Sequence, residues 1–345
     1  MSNETWQDSF RNALKSVKQI NEFFELNLPE LPYDILIPTT LALRIKEQGL
    51  EGVLAKQFLP SAMEIESSQA EGLKDPIGDQ KYSRPGQIIH RYPNRVLFLP
   101  TTVCPVVCRY CFRKNELSTK DEIFKADFEK TMSYLKEHPE IEEVIFSGGD
   151  PLMLSNNKLS FYLEEFSTIE HIKYIRLHTR APASLPNRID SDLLGILDTY
   201  AGKFETLSIG IHINHEDEID ADVERGIKSL SSLNSLNLLS QTVLLKDIND
   251  DAEILEKLFK KINKLGVRPY YLHHPDQVQG GMHYQIDIPS GRIIFATLRK
   301  KLPGWLIPQY VLDIPEGHGK TPLYNPESID FSGELIGLNQ EVVKL

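Results

Sequence analysis

From Arg95 onward, short apolar runs alternate with amphipathic stretches, and this alternation restricts the fold more than any other feature of the chain. The runs are VLFLP (96–100), EVIFS (143–147), YIRLHT (174–179), LSIGIHI (207–213), LLSQTVLL (238–245), PYYLHH (269–274) and QYVLDI (309–314). Each has the length of a strand rather than a helix. Between them, Phe128–Leu135, Leu159–Phe166, Ser191–Tyr200, Asp222–Leu233 and Ile254–Leu265 carry apolar residues at helical spacing. In the last, Ile254, Leu255, Leu258, Phe259, Ile262 and Leu265 share one face. Strand–helix alternation at this pitch predicts an α/β fold with a parallel sheet and right-handed crossovers. A partial or full β/α barrel is preferred here over an open doubly wound sheet, and either puts its chemistry at the C-terminal strand ends.

Residues 1 to about 95 read differently, as helical pieces with irregular connections. Trp6, Phe10, Leu14 and Val17 recur at helical spacing, and Phe23 and Phe24 follow after a break. Ser67 to Gly86 is polar and holds Pro76, Gly78 and Pro85, which predicts a loop or linker. The expected division is a helical N-terminal extension and linker (1–90), the barrel (91–325) and a C-terminal tail (326–345). A chain of 345 residues, 41% of them hydrophobic, can bury a large core. A net charge of −11 supplies no basic footprint for nucleic acid. No apolar run is long enough to span a bilayer, and Met1 to Lys15 is polar with mixed charge, unlike a secretory leader. Clustered, unpaired thiols fit a reducing cytoplasm.

The three cysteines, Cys104, Cys108 and Cys111, all lie in CPVVCRYC, directly after the first barrel strand. Three thiolates from one short loop suit three corners of a cubane 4Fe–4S cluster, leaving one iron open to a small molecule. A zinc knuckle normally takes four protein ligands, and the loop has neither a fourth cysteine nor a histidine. Disulfides would strand an odd thiol. After the next strand, SGGDP (147–151) offers Gly148 and Gly149 for close backbone approach to a ligand, and Asp150 to cap the following helix. An ordinary strand-to-helix turn is the alternative. In DIPEGHGKTP (313–322), Lys320 stands amid glycines just past a strand; such an amine can form a Schiff base with pyridoxal phosphate (PLP), or be a surface lysine. HRYPNR (90–95) sets Arg91 and Arg95 around Tyr92, either as a phosphate clamp or as surface cations.

Taken in order, HRYPNRVLFL, CPVVCRYCFRK, SGGDP, HTRAP, HINH, SQTVLLKDIND, RPYYLHHPDQVQGGMHY and GKTP resemble the radical S-adenosylmethionine (SAM), PLP-dependent lysine 2,3-aminomutases, from about residue 85 to 325. The resemblance implies a crescent-shaped partial β/α barrel of radical-SAM type with a helical N-terminal extension. It implies an isomerase that moves the α-amino group of L-lysine to the β-carbon through a PLP aldimine and a 5′-deoxyadenosyl radical. Cys104, Cys108 and Cys111 would ligate the cluster, with SAM on the open iron. Ser147, Gly148, Gly149, Asp150, His212 and Gln241 would surround SAM. Lys320 would be the catalytic lysine that holds PLP, with Arg91, Tyr92 and Arg95 steadying the ring and phosphate. Arg113 would pair with the substrate carboxylate, and Asp276 and Asp313 would receive its distal ammonium. Two carboxylates favour a cationic side chain and disfavour glutamate, while arginine satisfies the same charge logic.

The resemblance further implies an electron donor such as flavodoxin or ferredoxin, with no nucleic-acid or membrane partner, and leaves a homo-oligomer open. Two departures stand out. No cysteine follows Cys111, so the C-terminal structural zinc of lysine-fermenting members is not expected, and His273 stands where those enzymes have an aromatic near PLP. The short chain is similar to a branch that makes (R)-β-lysine for elongation factor P. The competing expectations are a 2,3-aminomutase for arginine or glutamate, a radical-SAM enzyme without PLP, and an iron–sulfur electron-transfer or scaffold protein.

Overall fold

The computed structural model describes residues 5–115 and 127–323, together with the backbone of residues 334–336 and 342–344. Ten strands form one sheet in simple chain order: β1 Ser83–Arg84, β2 Ile88–Tyr92, β3 Arg95–Phe98, β4 Glu143–Phe146, β5 Tyr174–Thr179, β6 Thr206–His212, β7 Leu236–Val243, β8 Arg268–His273, β9 Gln309–Ile314 and β10 Gly319–Pro322. Strands β3 to β9 are parallel, β1 and β2 are antiparallel additions at one edge, and β10 is an antiparallel addition at the other. The order is linear, with no pairing of β1 to β10 among the described residues, yet residues from β2 to β10 line a single cavity. The sheet therefore curls without closing, and the expected partial barrel is borne out.

Among the described residues, eleven α-helices accompany it: α1 Trp6–Arg11, α2 Val17–Phe24, α3 Thr39–Gln48, α4 Val53–Phe58, α5 Phe128–Glu137, α6 Asn156–Ser167, α7 Ala181–Ser184, α8 Ser191–Ala201, α9 Ala221–Ser231, α10 Ala252–Lys264 and α11 Ile288–Lys301. The crossover helices α5, α6, α8, α9, α10 and α11 begin at Asp127, Ser155, Asp190, Asp220, Asp251 and Asp287, whose side chains each accept a first-turn backbone N–H. Each cap satisfies donors that the helix itself cannot. Helix α11 carries no signal in the sequence reading because Pro289 and Gly291 sit in its first turn. Proline is tolerated there, where its missing N–H would have had no partner anyway. The outward sheet residues Val144, Phe146, Leu177 and Ile209 pack with Leu159, Leu163, Leu197 and Leu258 of the helices in the main core.

The N-terminal region departs from expectation. Helical spacing does not run through Trp6 to Val17: the backbone of Leu14 pairs with Ile37 at 2.8 and 3.0 Å, and the Ser16 hydroxyl caps a new helix containing Val17, Phe23 and Phe24. A local cap and a long-range backbone pair override the apolar period. Nor is the region an appendage. Helices α2 to α4 share a second core with Val106, Cys108 and Tyr110 of the cysteine loop and with Leu245, Ile248 and Tyr284. The loop's amides donate into this segment, Val107 to the Leu36 carbonyl and Arg109 to that of Gln57, both at 3.0 Å. Arg109, between two cysteines and fully buried, meets Glu64 through Nε at 2.9 Å and Nη2 at 2.5 Å, and donates to the Asp34 carbonyl at 2.7 Å.

The stretch before β1 is a strap rather than a linker. Leu73 exchanges backbone hydrogen bonds with Gln277 (2.8 Å) and Gln279 (3.0 Å), beyond β8. A Cβ on Gly78 would stand 2.4 Å from the amide of Gly317 in the β9–β10 turn, so only glycine allows the two backbones to touch. Because this segment then enters β1, it links the two edges of the open sheet. Of the tail expected at 326–345, only the antiparallel pair Glu334–Ile336 and Val342–Lys344 falls within the described residues. Removing one member of a buried ion pair leaves the other uncompensated, so Glu64→Ala should lower unfolding stability by about 3–5 kcal/mol in urea titrations of the purified protein. A loss below about 1 kcal/mol would show that Arg109 does not anchor the loop.

Candidate active site

Side chains alternate across a strand, so every second residue of the curled sheet faces inward. Arg95 and Leu97 of β3, Glu143 and Ile145 of β4, Arg176 and His178 of β5, Gln241 and Val243 of β7, and Tyr271 and His273 of β8 line one cavity of about 420 Å³. The loops at the C-terminal strand ends complete it. All the residues given a site role from sequence line this same cavity: Arg91, Tyr92, Arg95, Cys104, Cys108, Cys111, Arg113, the Ser147–Asp150 turn, His212, Gln241, Asp276, Asp313 and Lys320.

One wall is the cysteine loop. Burial, and for Cys104 and Cys111 also the neighbouring cysteines, pushes the thiols above their ordinary range, Cys111 to about 11. Three such thiols are costly as bare thiolates, and a bound iron cluster supplies the positive charge that offsets this cost. Among the described residues no three His, Cys, Asp or Glu side chains form a group that could hold a metal ion, so the fit to a cluster rests on the three sulfur donors and the room before them.

The SGGDP turn works differently from the sequence expectation. Its glycines approach the cysteine loop rather than only a ligand: a Cβ on Gly148 would lie 2.7 Å from the Thr101 carbonyl, and one on Gly149 2.4 Å from that of Val103. The amides of Gly149 and Asp150 donate to those two carbonyls at 2.7 and 2.8 Å. The Asp150 carboxylate caps Leu152 (2.9 Å) as expected, but also accepts from Thr179 Oγ1 (2.8 Å) and the Arg180 amide (2.6 Å). It binds the loops after β4 and β5 together. Beyond it, Gln241 Nε2 lies 3.2 Å from His178 Nε2, and burial keeps His178 and His212 neutral by pulling both well below the ordinary histidine range.

Lys320 forms another part of the wall. It lies not in a loop but on β10, directly across from Asp313 on β9, with which it forms an ion pair. Its backbone N–H donates to the Tyr92 hydroxyl at 2.7 Å. Its Nζ is 3.3 Å from His273 Nδ1 and 5.2 Å from the Tyr271 ring centre. Burial and the Lys320 charge lower His273 to about 4, which leaves its ring neutral beside the ammonium. Although burial opposes it, the Lys320 ammonium holds Asp313 well below the carboxylate range. Burial and the Asp313 charge raise Asp276 to about 8.

Asp79, on the strap, escaped the sequence reading because its neighbours resemble those of any polar loop. It is buried and takes Arg91 Nη2 at 2.8 Å and Arg113 Nη2 at 2.5 Å, joining the expected phosphate and carboxylate binders into one triad. Arg95 instead stacks on Tyr92, 4.0 Å from the ring centre. Glu143, Arg176, His178 and Tyr271 were also unassigned; only their inward phase on predicted strands could have indicated them.

Residues 98–259 match the model of the Radical SAM superfamily. Over 92% of this chain and 95% of the relative, the sequence is 34% identical to the L-lysine 2,3-aminomutase of Haemophilus influenzae. It is likewise 34% identical to that of Escherichia coli, over 84% of this chain and 83% of that one. Among solved structures, Streptococcus suis SuiB bound to S-adenosylmethionine aligns with a TM-score of 0.47 and 15% identity, covering 64% of this chain and 51% of that one. No helix among the described residues is long and apolar enough to cross a membrane.

Asp276 provides a pH test. Its folded pKa of about 8 lies above the unfolded value of 3.8, so the folded chain binds the extra proton between them. Its contribution to stability is complete below the unfolded pKa and is lost as pH rises toward 8. In the ligand-free protein, Asp276→Asn should therefore flatten the fall in urea stability between pH 5 and 8, and an unchanged slope would remove Asp276 as its source.

Proposed function

The chain belongs to the radical SAM superfamily and, within it, to the L-lysine 2,3-aminomutases, and from that premise we propose that it converts L-lysine to β-lysine with PLP bound at Lys320. The observation that carries this reading is that three cysteines and Lys320, more than 200 residues apart in sequence, line one cavity. A cluster with SAM supplies a carbon radical, and PLP supplies the conjugated group that carries a migrating nitrogen. The chain's own residues do the positioning.

Tyr92 holds the Lys320 backbone, while Asp313 and His273 hold its Nζ at the cavity wall. A Schiff base would require Nζ to lose its proton, and Asp313, held well below the carboxylate range, and His273, lowered to about 4, would orient the amine rather than serve as that base. Arg91 and Arg95, which line the cavity on either side of Tyr92, would steady the PLP phosphate. Arg113, on the same triad, suits the substrate carboxylate. Asp276 and Asp313 line the same cavity, and an arriving ammonium would be met by the Asp313 carboxylate and would favour loss of the Asp276 proton, which supports a cationic amino acid and penalises glutamate. Clamps at both ends would present one β-hydrogen to the radical. The buried thiols fit a reducing cytoplasm and a small protein electron donor of the flavodoxin or ferredoxin type.

Anaerobic incubation of the reconstituted protein with SAM, PLP, a strong reductant and L-lysine should yield β-lysine, read by chromatography. Lys320→Ala should lose both the product and the visible absorption of lysine-bound PLP, and Cys108→Ala should lose the product and cleavage of SAM. Protein with a full cluster that makes no β-lysine would overturn the assignment.

A further inference from the structure

A second cavity, of about 410 Å³, lies at the other end of the half-barrel. Asn237, Arg268 and Gln309, at or near the starts of β7, β8 and β9, line it, and it opens beside Trp305, which is 63% exposed. Such a polar, open space holds water. Three side chains, Glu143, Arg176 and Tyr270, line both this cavity and the one containing Lys320. The partition between them is thus a single layer of side chains.

The layer is held by directional contacts. Arg176 meets Glu143 Oε1 through Nε at 3.0 Å and Nη2 at 2.8 Å, and its Nη1 donates to the Tyr270 hydroxyl at 3.2 Å. That hydroxyl donates to Tyr271 at 3.0 Å, and the two tyrosine rings lie 3.9 Å apart. Tyr271 is the ring beneath Lys320. Arginine is nine-tenths buried here with its charge matched, so it can fill the barrel axis without leaving an uncompensated cation.

We propose that Glu143, Arg176 and Tyr270 are positioning residues that seal the radical cavity from below, keeping hydrogen donors in solution away from the carbon radical. The inference rests on the radical chemistry proposed above. The side reaction it prevents is hydrogen-atom transfer from a thiol: the S–H bond breaks, a C–H bond forms on the deoxyadenosyl carbon, and a thiyl radical is left. Each such event yields deoxyadenosine without β-lysine.

The test compares the parent holoenzyme, Arg176→Ala, Tyr270→Ala and the double variant Glu143→Gln with Arg176→Met, each at full cluster content, across a dithiothreitol series. Deoxyadenosine released per β-lysine is measured, together with amide hydrogen exchange of residues 174–179 and 268–273. Opening the layer from either strand should raise the ratio roughly fivefold or more, increasingly with thiol, and speed exchange in both strands. The double variant fills the same space without charge and should stay within about twofold of the parent. Tyr270→Ala decides the matter if Arg176→Ala fails to take up a cluster. Alanine variants as tightly coupled as the parent, or a double variant as leaky as they are, would overturn the seal. A parent that cleaves SAM but makes no β-lysine would instead count against the substrate assignment, and the thiol dependence of deoxyadenosine release would still decide the seal.

Discussion

A curled sheet that does not close leaves two edges to bridge and an inner face to fill, and most other features of this molecule answer that constraint. A full barrel fills its interior with layers of branched apolar side chains. Here the interior is a cavity with charged walls, and the strap from Ser67 to Tyr82 joins the sheet's edges through Leu73 and the Gly78–Gly317 contact. The N-terminal helices pack on the cysteine loop, so the part of the chain least like a barrel gives that loop its shape.

Filling such a cavity with charge requires that the charges be matched, because an isolated ion in a poorly solvated space is costly. Arg91 and Arg113 share Asp79, Arg176 meets Glu143, Arg180 meets Glu218, and Lys320 meets Asp313. These pairs also set the chemistry of the walls. Lys320 is held beside an ionised carboxylate and a neutral imidazole, while Asp276 retains its proton until more positive charge arrives. The same interactions that make the cavity tolerable thus prepare it for a substrate carrying both charges.

The barrel was legible in sequence because its signals are local. The apolar run at 174–179 is strand β5 to the residue, and the face from Ile254 to Leu265 is helix α10 to within two residues. Where local signals competed, they failed: the apolar spacing across Trp6 to Val17 yielded to the Ser16 cap and the Leu14–Ile37 pair, and Pro289 hid α11. In the site, motif residues were visible because cysteine triplets and glycine-flanked lysines are rare patterns. Asp79 and Arg176 were not, since an aspartate in a polar loop and an arginine in a strand are common.

The amino-acid sequence by itself determined the order of the strands β3 to β9 and of five helices between them, the clustered cysteines and the glycine-flanked Lys320, because each depends on residues close together in the chain. Only the tertiary structure decided that Lys320 lies across from Asp313, that Asp79 joins two arginines, and that a linker-like stretch is a strap. Those facts depend on the curvature of the sheet, which brings β2 and β10 to one cavity. Curvature is a sum over all the strands, and no single segment encodes it.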